Sequence, residues 1–465
     1  MPDLVTDPAL LEGYLTDASN LRGRADALLR PRTTQEVAEI VTECQRRGIP
    51  LTVSAGRTST TAGPVPDGGW ILSTERLDAI VDLAHETATA QAGVNLGAFQ
   101  AAIEATGRFY PPDPTSRFDC ALGASIATNA SGARSFRYGS TRRWVQALEV
   151  VLPTGEIVEI QRGDPVPAAW PAPRWTEPAV KTAAGYAGSG DWIDLLAGAE
   201  GTLGIITRAT VRLTALPAGV LGLVAWFPDR AAAVATMVRL RAAARADRDG
   251  PLSPRCIEYF DAACVGMARE ALGDVPAGAG AALFCEQELP LGEDAHLAAW
   301  VDALTDGGAL VDDTVIATDD AGRARLLAFR HAIPAGINER VVRNGMPKVG
   351  TDLSVPDAGL DAMFAAYEAP PVESVLFGHL GDNHLHLNLL PRTADELATC
   401  KRYYDDLALL AISLGGSVSA EHGIGKTKRH QLAAMVGPDV LAGFRALKRA
   451  VDPADILGRG NLLAS

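Results

Sequence analysis

The amino-acid sequence predicts an α+β fold with two main domains, and three observations support this prediction. The chain has 465 residues, and roughly 150 residues per domain is the usual expectation, which favours two or three domains. Short apolar strands alternate with amphipathic helices along most of the chain. Near residue 215 the pattern changes, and strand–helix–strand units then recur to about residue 390, as expected for a second α+β domain.

The first half begins with one well-marked helix and continues mainly as short strands. Thr33 and Thr34 offer a hydroxyl cap, Glu36 follows, and apolar residues then recur at helical spacing. Further strands are predicted over residues 49–56, 70–74, 79–83 and 88–94. A helix over 96–106, a hairpin over 147–160 and a surface loop over 162–177 follow them.

The second half has longer elements. Residues 220–227 are an apolar strand, and residues 229–246 have the spacing of an amphipathic helix. Strands are predicted over 257–261 and 282–288, with a helix over 296–308. Two more helices are predicted, one over residues 405–414 and a final one that ends near Val451.

Composition limits the classes of partner. The net charge is −14 and the pI is about 5.1, which argues against binding to nucleic acid or to an anionic membrane. No apolar run approaches the ~18 residues of a transmembrane helix, and the acidic N-terminus has no signal-peptide pattern. The cysteines form no C-x-x-C pair, so neither a disulfide framework nor an iron–sulfur cluster is predicted. We expect a cytoplasmic protein, with peripheral attachment to the inner membrane left open.

Histidine and glutamate residues cluster towards the C-terminal end. His379 and His386 lie in FGHLGDNHLHLN, and Glu421 and His422 are adjacent in SAEHGIG. Two imidazoles and a carboxylate are the ligand set of an open metal site, and the remaining histidine can move a proton. These ligands favour zinc, with manganese and iron as alternatives.

The spacing of the histidines predicts a β-hairpin. A two-residue turn at Asp382 and Asn383 would place His379 directly opposite His386. Alternation would then put His384 and every second residue after it on one face, and the intervening leucines on the other. The alternative is a hairpin whose histidines serve only its structure.

Three separated stretches are rich in small residues. The first, residues 50–63, follows a strand and offers backbone N–H groups that could cradle a diphosphate. In the second, residues 109–139, ten of the 17 residues from Ala121 to Arg137 are Gly, Ala or Ser, so the backbone can approach a large planar ligand closely. The third, residues 197–213, places Glu200 at the entry of a strand. Taken singly, each is equally compatible with an ordinary turn or a tightly packed irregular segment.

These three stretches, in this order, resemble the flavin domain of the vanillyl-alcohol-oxidase/p-cresol-methylhydroxylase (PCMH) superfamily. The later motifs narrow the resemblance to the branch with D-lactate, glycolate and D-2-hydroxyglutarate dehydrogenases. The resemblance implies four segments: an N-terminal extension (1–29), a PCMH-type FAD-binding domain of two α+β subdomains (30–215), a substrate- and metal-binding FAD-linked-oxidase C-terminal domain with an antiparallel sheet (216–455), and a tail that packs back on the FAD domain (456–465).

The resemblance also implies noncovalent FAD, because the expected diphosphate loop contains neither a histidine nor a cysteine for attachment. The first stretch would bind the diphosphate, the second the isoalloxazine and ribityl groups, and the third the adenosine side. The residues implied to contact FAD are Ser54, Ala55, Gly56, Arg57, Thr58, Ser59, Pro112, Asp113, Thr115, Gly123, Ser125, Thr128, Asn129, Gly132, Glu200, Gly201 and Ile206.

Four residues are implied to hold and convert the substrate. Arg330 and Lys348 would bind its carboxylate. Asn388 would steady the hydroxyl end, and His422 would accept the hydroxyl proton as the general base. The alternative for Arg330 and Lys348 is that both are solvated surface cations.

Three departures from the family pattern bear on these assignments. Asn383 and His384 replace the usual Gly-Asn of the hairpin, which adds a third imidazole as an alternative ligand or a neighbour that tunes the metal. Pro334 stands where hydroxyglutarate-handling members tend to carry a hydroxyl residue, which weakens the case for a longer diacid. Residues 457–463 replace the common Asn-Pro-Gly-Lys, so no flavin contact is assigned there.

The expected function is FAD-dependent oxidation of a small anionic D-2-hydroxy acid to the 2-oxo acid, with metal assistance and hydride transfer to flavin N5. The electron acceptor would be external: a quinone, a cytochrome or an electron-transfer flavoprotein. A homodimer is one assembly that the sequence leaves open. The alternatives are a non-redox flavoprotein resembling the ether-lipid synthases, a flavin-independent metal hydrolase and a catalytically silent binding protein.

Overall fold

The computed structural model describes residues 2–290, 292–317 and 319–464. Met1 and Ser465, the outermost residues of the two predicted terminal segments, lie outside this description. The described chain combines α-helices with sheets that are mainly antiparallel, which confirms the α+β fold. Within these residues, no helix has both the length and the apolar character needed to cross a membrane.

The N-terminal part contains a short helix, a small parallel sheet and the predicted capped helix. Helix α1 (Pro8–Leu11) precedes the sheet, which has the order β1–β3–β2 and consists of β1 (Ala27–Leu29), β2 (Leu51–Ser54) and β3 (Trp70–Ser73). Helix α2 (Thr34–Arg47) begins after Thr33, whose side chain accepts the N–H of Glu36 at 3.2 Å. The helix ends at Gly48, whose left-handed φ of 66° suits a residue without a Cβ.

A five-stranded antiparallel sheet follows, with the order β4–β5–β9–β7–β8. Its strands are β4 (Ile80–Leu83), β5 (Thr87–Gln91), β7 (Val145–Val151), β8 (Ile157–Gln161) and β9 (Ile205–Arg212). A two-stranded sheet joins β6 (Arg108–Phe109) to β10 (Thr214–Ala215). The helices of this part are α3 (Leu96–Glu104), α4 (Leu122–Ala127), α5 (Ser135–Tyr138) and α6 (Trp192–Leu196). The second small-residue stretch therefore contains two short helices within a mostly irregular segment, and residues 162–177 form the predicted loop.

The second half is built on an eight-stranded antiparallel sheet with the order β14–β11–β13–β12–β17–β18–β15, in which β16 also pairs with β18. Its strands are β11 (Val220–Phe227), β12 (Pro254–Phe260), β13 (Ala281–Glu288), β14 (Val315–Ala317), β15 (Val349–Gly350), β16 (Leu353–Ser354), β17 (Ser374–His379) and β18 (His384–Leu389). Strands β17 and β18 form the histidine hairpin. This hairpin therefore lies between β12 and the short strands β15 and β16.

Seven helices of the described chain accompany this sheet: α7 (Arg230–Ala246), α8 (Ala262–Leu272), α9 (Glu293–Asp306), α10 (Asp320–Asn344), α11 (Leu360–Tyr367), α12 (Ala394–Ser413) and α13 (Arg429–Val451). The predicted start of α12 at residue 405 is wrong, because the side chain of Thr393 caps the helix by accepting the N–H of Glu396 at 3.2 Å. Pro334 lies inside α10. Helix α13 is kinked at Gly437, where φ is 76°, and ends at Val451 as predicted.

The predicted register of the histidine hairpin is wrong by two residues. His379 pairs with His384, whereas His386 pairs with Phe377. The turn has four residues rather than two, because residues 380–382 form one turn of 3-10 helix before the chain reverses. A shift of two residues preserves the side-chain alternation, so the three imidazoles still share one face and the leucines of β18 remain buried.

The largest buried cluster runs through both halves of the chain. It includes Val150 and Val211 from the five-stranded sheet, Leu223 and Leu387 from the eight-stranded sheet, and Phe444 from α13. The cysteines are buried and unbonded. The five-stranded and eight-stranded sheets therefore contribute to one buried core, which includes leucines of the histidine hairpin.

Candidate active site

The hairpin presents three imidazoles, and the loop of residues 419–425 (the Glu-His loop) brings a carboxylate to them. The ring centroids of His384 and His386 are 4.4 Å apart, and that of His379 lies 5.4 and 5.7 Å from them. Glu421 Oε2 is 3.5 Å from His379 Nε2, and Glu421 Oε1 is 3.3 Å from His386 Nε2. The three predicted metal ligands therefore lie together. His384 is a fourth candidate, since its Nδ1 is 3.8 Å from the same carboxylate.

One buried carboxylate, Asp352, holds the Glu-His loop in place. Its Oδ1 accepts the N–H of Glu421 and its Oδ2 accepts the N–H of His422, both at 3.1 Å. Lys428 Nζ donates to Oδ2 at 2.7 Å, and His384 Nε2 is 2.9 Å from Oδ1. Burial alone would raise the pKa of Asp352, but the protonated form that His422 adopts in acid and the Lys428 ammonium hold it well below its usual range. This ionised group therefore connects the loop to the hairpin.

A lysine from the first half of the chain enters the same cluster. Lys181 Nζ donates to Glu421 Oε2 at 2.7 Å, and the lysine side chain is only 5% exposed. The backbone of Lys181 is also tied to the second half, because Ser354 Oγ donates to its carbonyl oxygen at 2.6 Å. Burial would raise the pKa of Glu421, but the Lys181 ammonium and the nearby imidazoles hold it well below its usual range.

Glu200, one of the predicted cofactor contacts, supports the Glu-His loop from the other side. Its two carboxylate oxygens accept the N–H groups of Ile424 at 2.6 Å and Gly425 at 2.7 Å. Burial raises the pKa of Glu200 to about 7. Thr61, in the first small-residue stretch, donates its hydroxyl to the carbonyl oxygen of His422 at 3.3 Å. Both halves of the chain therefore position this loop.

The group of His379, His384, His386 and Glu421 is called the ligand cluster below. His422 lies between this cluster and a cavity. Its ring is stacked near that of His386, with centroids 5.3 Å apart, and its side chain is 33% exposed. The ring nitrogens are 3.6 Å from Glu421 Oε1 and 3.5 Å from Asp352 Oδ2, which is too long for a strong hydrogen bond. Burial lowers the pKa of His422 to about 4. The imidazole is therefore neutral near pH 7 and has a lone pair that can accept a proton.

The predicted substrate residues form two groups. Arg330 Nε is 2.5 Å from Glu258 Oε2, and the other oxygen of Glu258 is 3.3 Å from His379 Nδ1. Lys348 Nζ donates to Asn388 Oδ1 at 2.8 Å. Burial lowers the pKa of Lys348. Arg330 thus reaches the ligand cluster through Glu258, while Lys348 and Asn388 form a separate pair beside β18.

A cavity of about 390 Å³ adjoins the Glu-His loop, and its volume falls within the ~300–1,000 Å³ typical of cofactor pockets. Glu421 and His422 belong to its wall, together with residues from all three small-residue stretches. The predicted cofactor contacts found on the wall are Ala55, Gly56, Arg57, Thr58, Ser59, Thr115, Gly123, Ser125, Thr128, Glu200, Gly201 and Ile206. The fold therefore gathers these distant stretches into one surface beside the ligand cluster.

The remaining predicted cofactor contacts do not line this cavity; they are Ser54, Pro112, Asp113, Asn129 and Gly132. Asp113 is engaged in ion pairs with Arg117 at 2.8 Å and Arg134 at 3.3 Å. Asn129 has a left-handed φ of 48°, and its side-chain amide donates to the carbonyl oxygen of Thr182 at 3.2 Å. In this structure the polar groups of Asp113 and Asn129 stabilise the protein around the cavity.

The residues present fit both implied groups. The cluster of His379, His384, His386 and Glu421 offers nitrogen and carboxylate donors that all lie within 4.8 Å of one another, which is a donor set suited to zinc. The cavity offers the hydroxyls and backbone of residues 55–60, which follow β2, where a dinucleotide diphosphate can be held by N–H groups.

Sequence reasoning overlooked several residues of this site. Lys181, Glu258 and Asp352 each hold a predicted site residue, and no local pattern marks them as buried. Gly458 and Asn461 line the cavity, although their segment departs from the family pattern and no flavin contact was expected there. Their role becomes visible only when the tail is folded against the first half: Leu51 and Leu457 form a parallel bridge.

Two family domains match the chain, in the order that the fold presents them. The FAD binding domain matches residues 25–161, and the C-terminal domain of FAD linked oxidases matches residues 217–462. The first match contains the first two small-residue stretches. The second contains the histidine hairpin and the Glu-His loop.

Curated relatives match over almost the whole chain. A D-2-hydroxyglutarate dehydrogenase from Xanthomonas citri pv. viticola is 32% identical, over 99% of this chain and 94% of its own length. Glycolate oxidase subunit GlcD from Bacillus subtilis is 30% identical, over 97% of this chain and 92% of its own. A D-lactate dehydrogenase from Anaerostipes hadrus is 28% identical, over 97% of this chain and 92% of its own length.

Among solved structures, an alkyldihydroxyacetonephosphate synthase matches with a TM-score of 0.70 and 17% identity, covering 98% of this chain and 81% of that one. At this identity the likeness shows the fold alone. The two domain matches and the full-length relatives also show the family. The chain belongs to the FAD-linked oxidases, in the branch of the PCMH superfamily that contains the 2-hydroxy acid dehydrogenases.

Proposed function

We propose that this protein oxidises a small D-2-hydroxy acid to the corresponding 2-oxo acid. The observation that carries the proposal is the contact between the ligand cluster and the cavity: Glu421 belongs to both, and His422 lies at the border. A substrate held at the cluster would therefore face whatever occupies the cavity. The names of the relatives, which cover D-2-hydroxyglutarate, glycolate and D-lactate, support the same substrate class.

Two bound groups would supply the chemistry that side chains lack. FAD, if held in the cavity, would supply the acceptor for the hydride that leaves C2, and a divalent metal held by His379, His386 and Glu421 would supply a Lewis acid for the substrate oxygens. Zinc is the metal that these donors favour, with manganese and iron as alternatives. His384 lies among the ligands, where its contact with Asp352 fixes the orientation of its ring.

Lys348 and Asn388 would position the substrate. Lys348 is a cation whose hydrogen bond goes to a neutral amide rather than to a carboxylate, so its charge is available to the carboxylate of the substrate. Asn388 lies on the same strand and the same face as His386 and would hold the hydroxyl end. Arg330 would add positive potential from behind Glu258.

His422 would act as the general base. Its side chain forms part of the cavity wall, and neither ring nitrogen is held in a short hydrogen bond. The hydroxyl proton of the substrate would pass to this imidazole while the hydrogen on C2 leaves with its electron pair, which yields the 2-oxo acid. Reoxidation requires an external acceptor, for which a quinone, a cytochrome and an electron-transfer flavoprotein are the candidates.

Anaerobic mixing with candidate acids tests the proposal directly. The FAD-loaded protein is mixed with D-lactate, glycolate, D-malate and D-2-hydroxyglutarate, with and without a chelator, and flavin absorbance is followed. We expect rapid bleaching by one acid, its loss with the chelator and its return on addition of zinc or manganese. A metal-loaded protein that none of these acids bleaches would contradict the proposal and favour a non-redox flavoprotein.

A further inference from the structure

The N-terminal segment packs against the first small-residue stretch. Residues 5–17 precede the matched FAD binding domain, which begins at residue 25. Leu11 is buried against Leu28 and Ile71, and Val5 forms two backbone hydrogen bonds of 2.9 Å with Leu28. The segment is therefore attached to the parallel sheet whose strand β2 leads into that stretch.

Tyr14 lies against a residue of the cavity wall. The guanidinium carbon of Arg57 is 4.6 Å from the centroid of the Tyr14 ring, a distance typical of a cation–π contact. The Tyr14 hydroxyl donates to Glu75 Oε2 at 2.7 Å, and Glu75 in turn is 3.4 Å from Arg30. The ring of Tyr14 is thus held from its hydroxyl end while its face supports Arg57.

Arg57 requires such support because of its backbone. Its φ of 56° is left-handed, a conformation that a residue with a Cβ adopts only where its surroundings impose it. Ala62, near the end of the same stretch, has a left-handed φ of 63°. Two unfavourable residues within six positions mean that this loop does not hold its shape by local preference alone.

We propose that Tyr14 is part of the cofactor site: its ring holds Arg57, and with it the first small-residue stretch, in the conformation that binds FAD. The inference rests on the proposed function to the extent that FAD occupies this cavity. Tyr14 is a positioning residue, because it acts on the cofactor only through Arg57.

The affinity for FAD tests this role, by equilibrium dilution of the FAD-loaded protein with released flavin measured by fluorescence. We expect Tyr14→Ala to weaken FAD binding by about tenfold, because the guanidinium loses its cation–π partner and the strained loop loses its support. Tyr14→Phe keeps the aromatic face and loses only the bond to Glu75, so its affinity should stay within about threefold of the original. Leu10→Ala, at an exposed position of α1, is the matched control and should have no effect.

A second variant, Tyr14→Leu, keeps apolar bulk without an aromatic face, so it reports on the contact even if Tyr14→Ala does not fold. It should weaken FAD binding as the alanine variant does. Unchanged affinity in Tyr14→Leu would overturn the inference, and so would equal losses in Tyr14→Phe and Tyr14→Leu. A parent protein that binds no FAD at all would instead contradict the proposed function, so the two failures are distinguishable.

Discussion

Replacement of Asp352 by asparagine should both destabilise the protein and disable the Glu-His loop. Asp352 and Lys428 form a 2.7 Å ion pair with side chains that are 0% and 8% exposed. Removing one partner of a buried pair costs about 3–5 kcal/mol, because the remaining charge stays buried. Asparagine also turns an NH2 group towards the N–H groups of Glu421 and His422, and one unsatisfied donor adds about 1–3 kcal/mol. We therefore expect a loss of about 4 kcal/mol or more in the free energy of unfolding.

The assay is urea unfolding followed by circular dichroism, for the parent, Asp352→Asn and the double variant Asp352→Asn/Lys428→Met. The double variant removes both charges of the pair and should recover much of the loss, which separates the buried charge from the lost hydrogen bonds. The folded-state pKa of Asp352 lies well below its ordinary value of 3.8, so its stabilising effect is fully present above that value and is lost as the pH falls through the folded pKa. A loss below about 1 kcal/mol at neutral pH would refute this reasoning.

Further predictions concern the proton acceptor, the buried ammonium and the metal. His422→Ala should retain FAD but slow anaerobic flavin reduction by about 10²-fold or more, a typical general-base contribution, and near-normal reduction would contradict that role. Lys181→Met should bind zinc at least about tenfold more tightly in a chelator competition, because an ammonium 2.7 Å from Glu421 repels a dication. Lys181→Arg keeps the positive charge and should not bind zinc more tightly. Unchanged zinc affinity in the methionine variant would contradict this electrostatic account. Chelator treatment should abolish substrate-dependent bleaching while FAD stays bound, and a chelator-insensitive reaction would argue against the metal.

The predicted helices and strands that the structure reproduces are those with a strong local signal. Three examples are the cap at Thr33, the alternation of β18 and the apolar strand β11. Each depends on residues close together in sequence, so the sequence alone indicates its physical cause. The start of α12 carries an equally local signal, because Thr393 and Glu396 form the same kind of cap as Thr33 and Glu36.

The register of the hairpin shows a different limit. Asp382 and Asn383 suggest a two-residue turn, but the chain uses four residues and one turn of 3-10 helix. Turn length depends on what packs around it: Gly381 lies against the ring of Phe136 from α5, and Ser135 donates to Asp382 at 2.5 Å. Those contacts come from the other half of the chain and have no trace in the local pattern.

The sequence by itself determined which residue types meet: imidazoles on alternate positions of one strand, a Glu-His pair in a glycine-containing loop, and small-residue stretches whose backbone can approach a ligand. Residue types and short spacings are local properties, and they restrict the chemistry strongly. Only the tertiary structure decided which buried charges support them. Lys181, Glu258 and Asp352 lie far from their partners in sequence and act by electrostatics over a few ångströms in a desolvated interior. Such distances are set by the packing of whole sheets and loops, which no local pattern specifies.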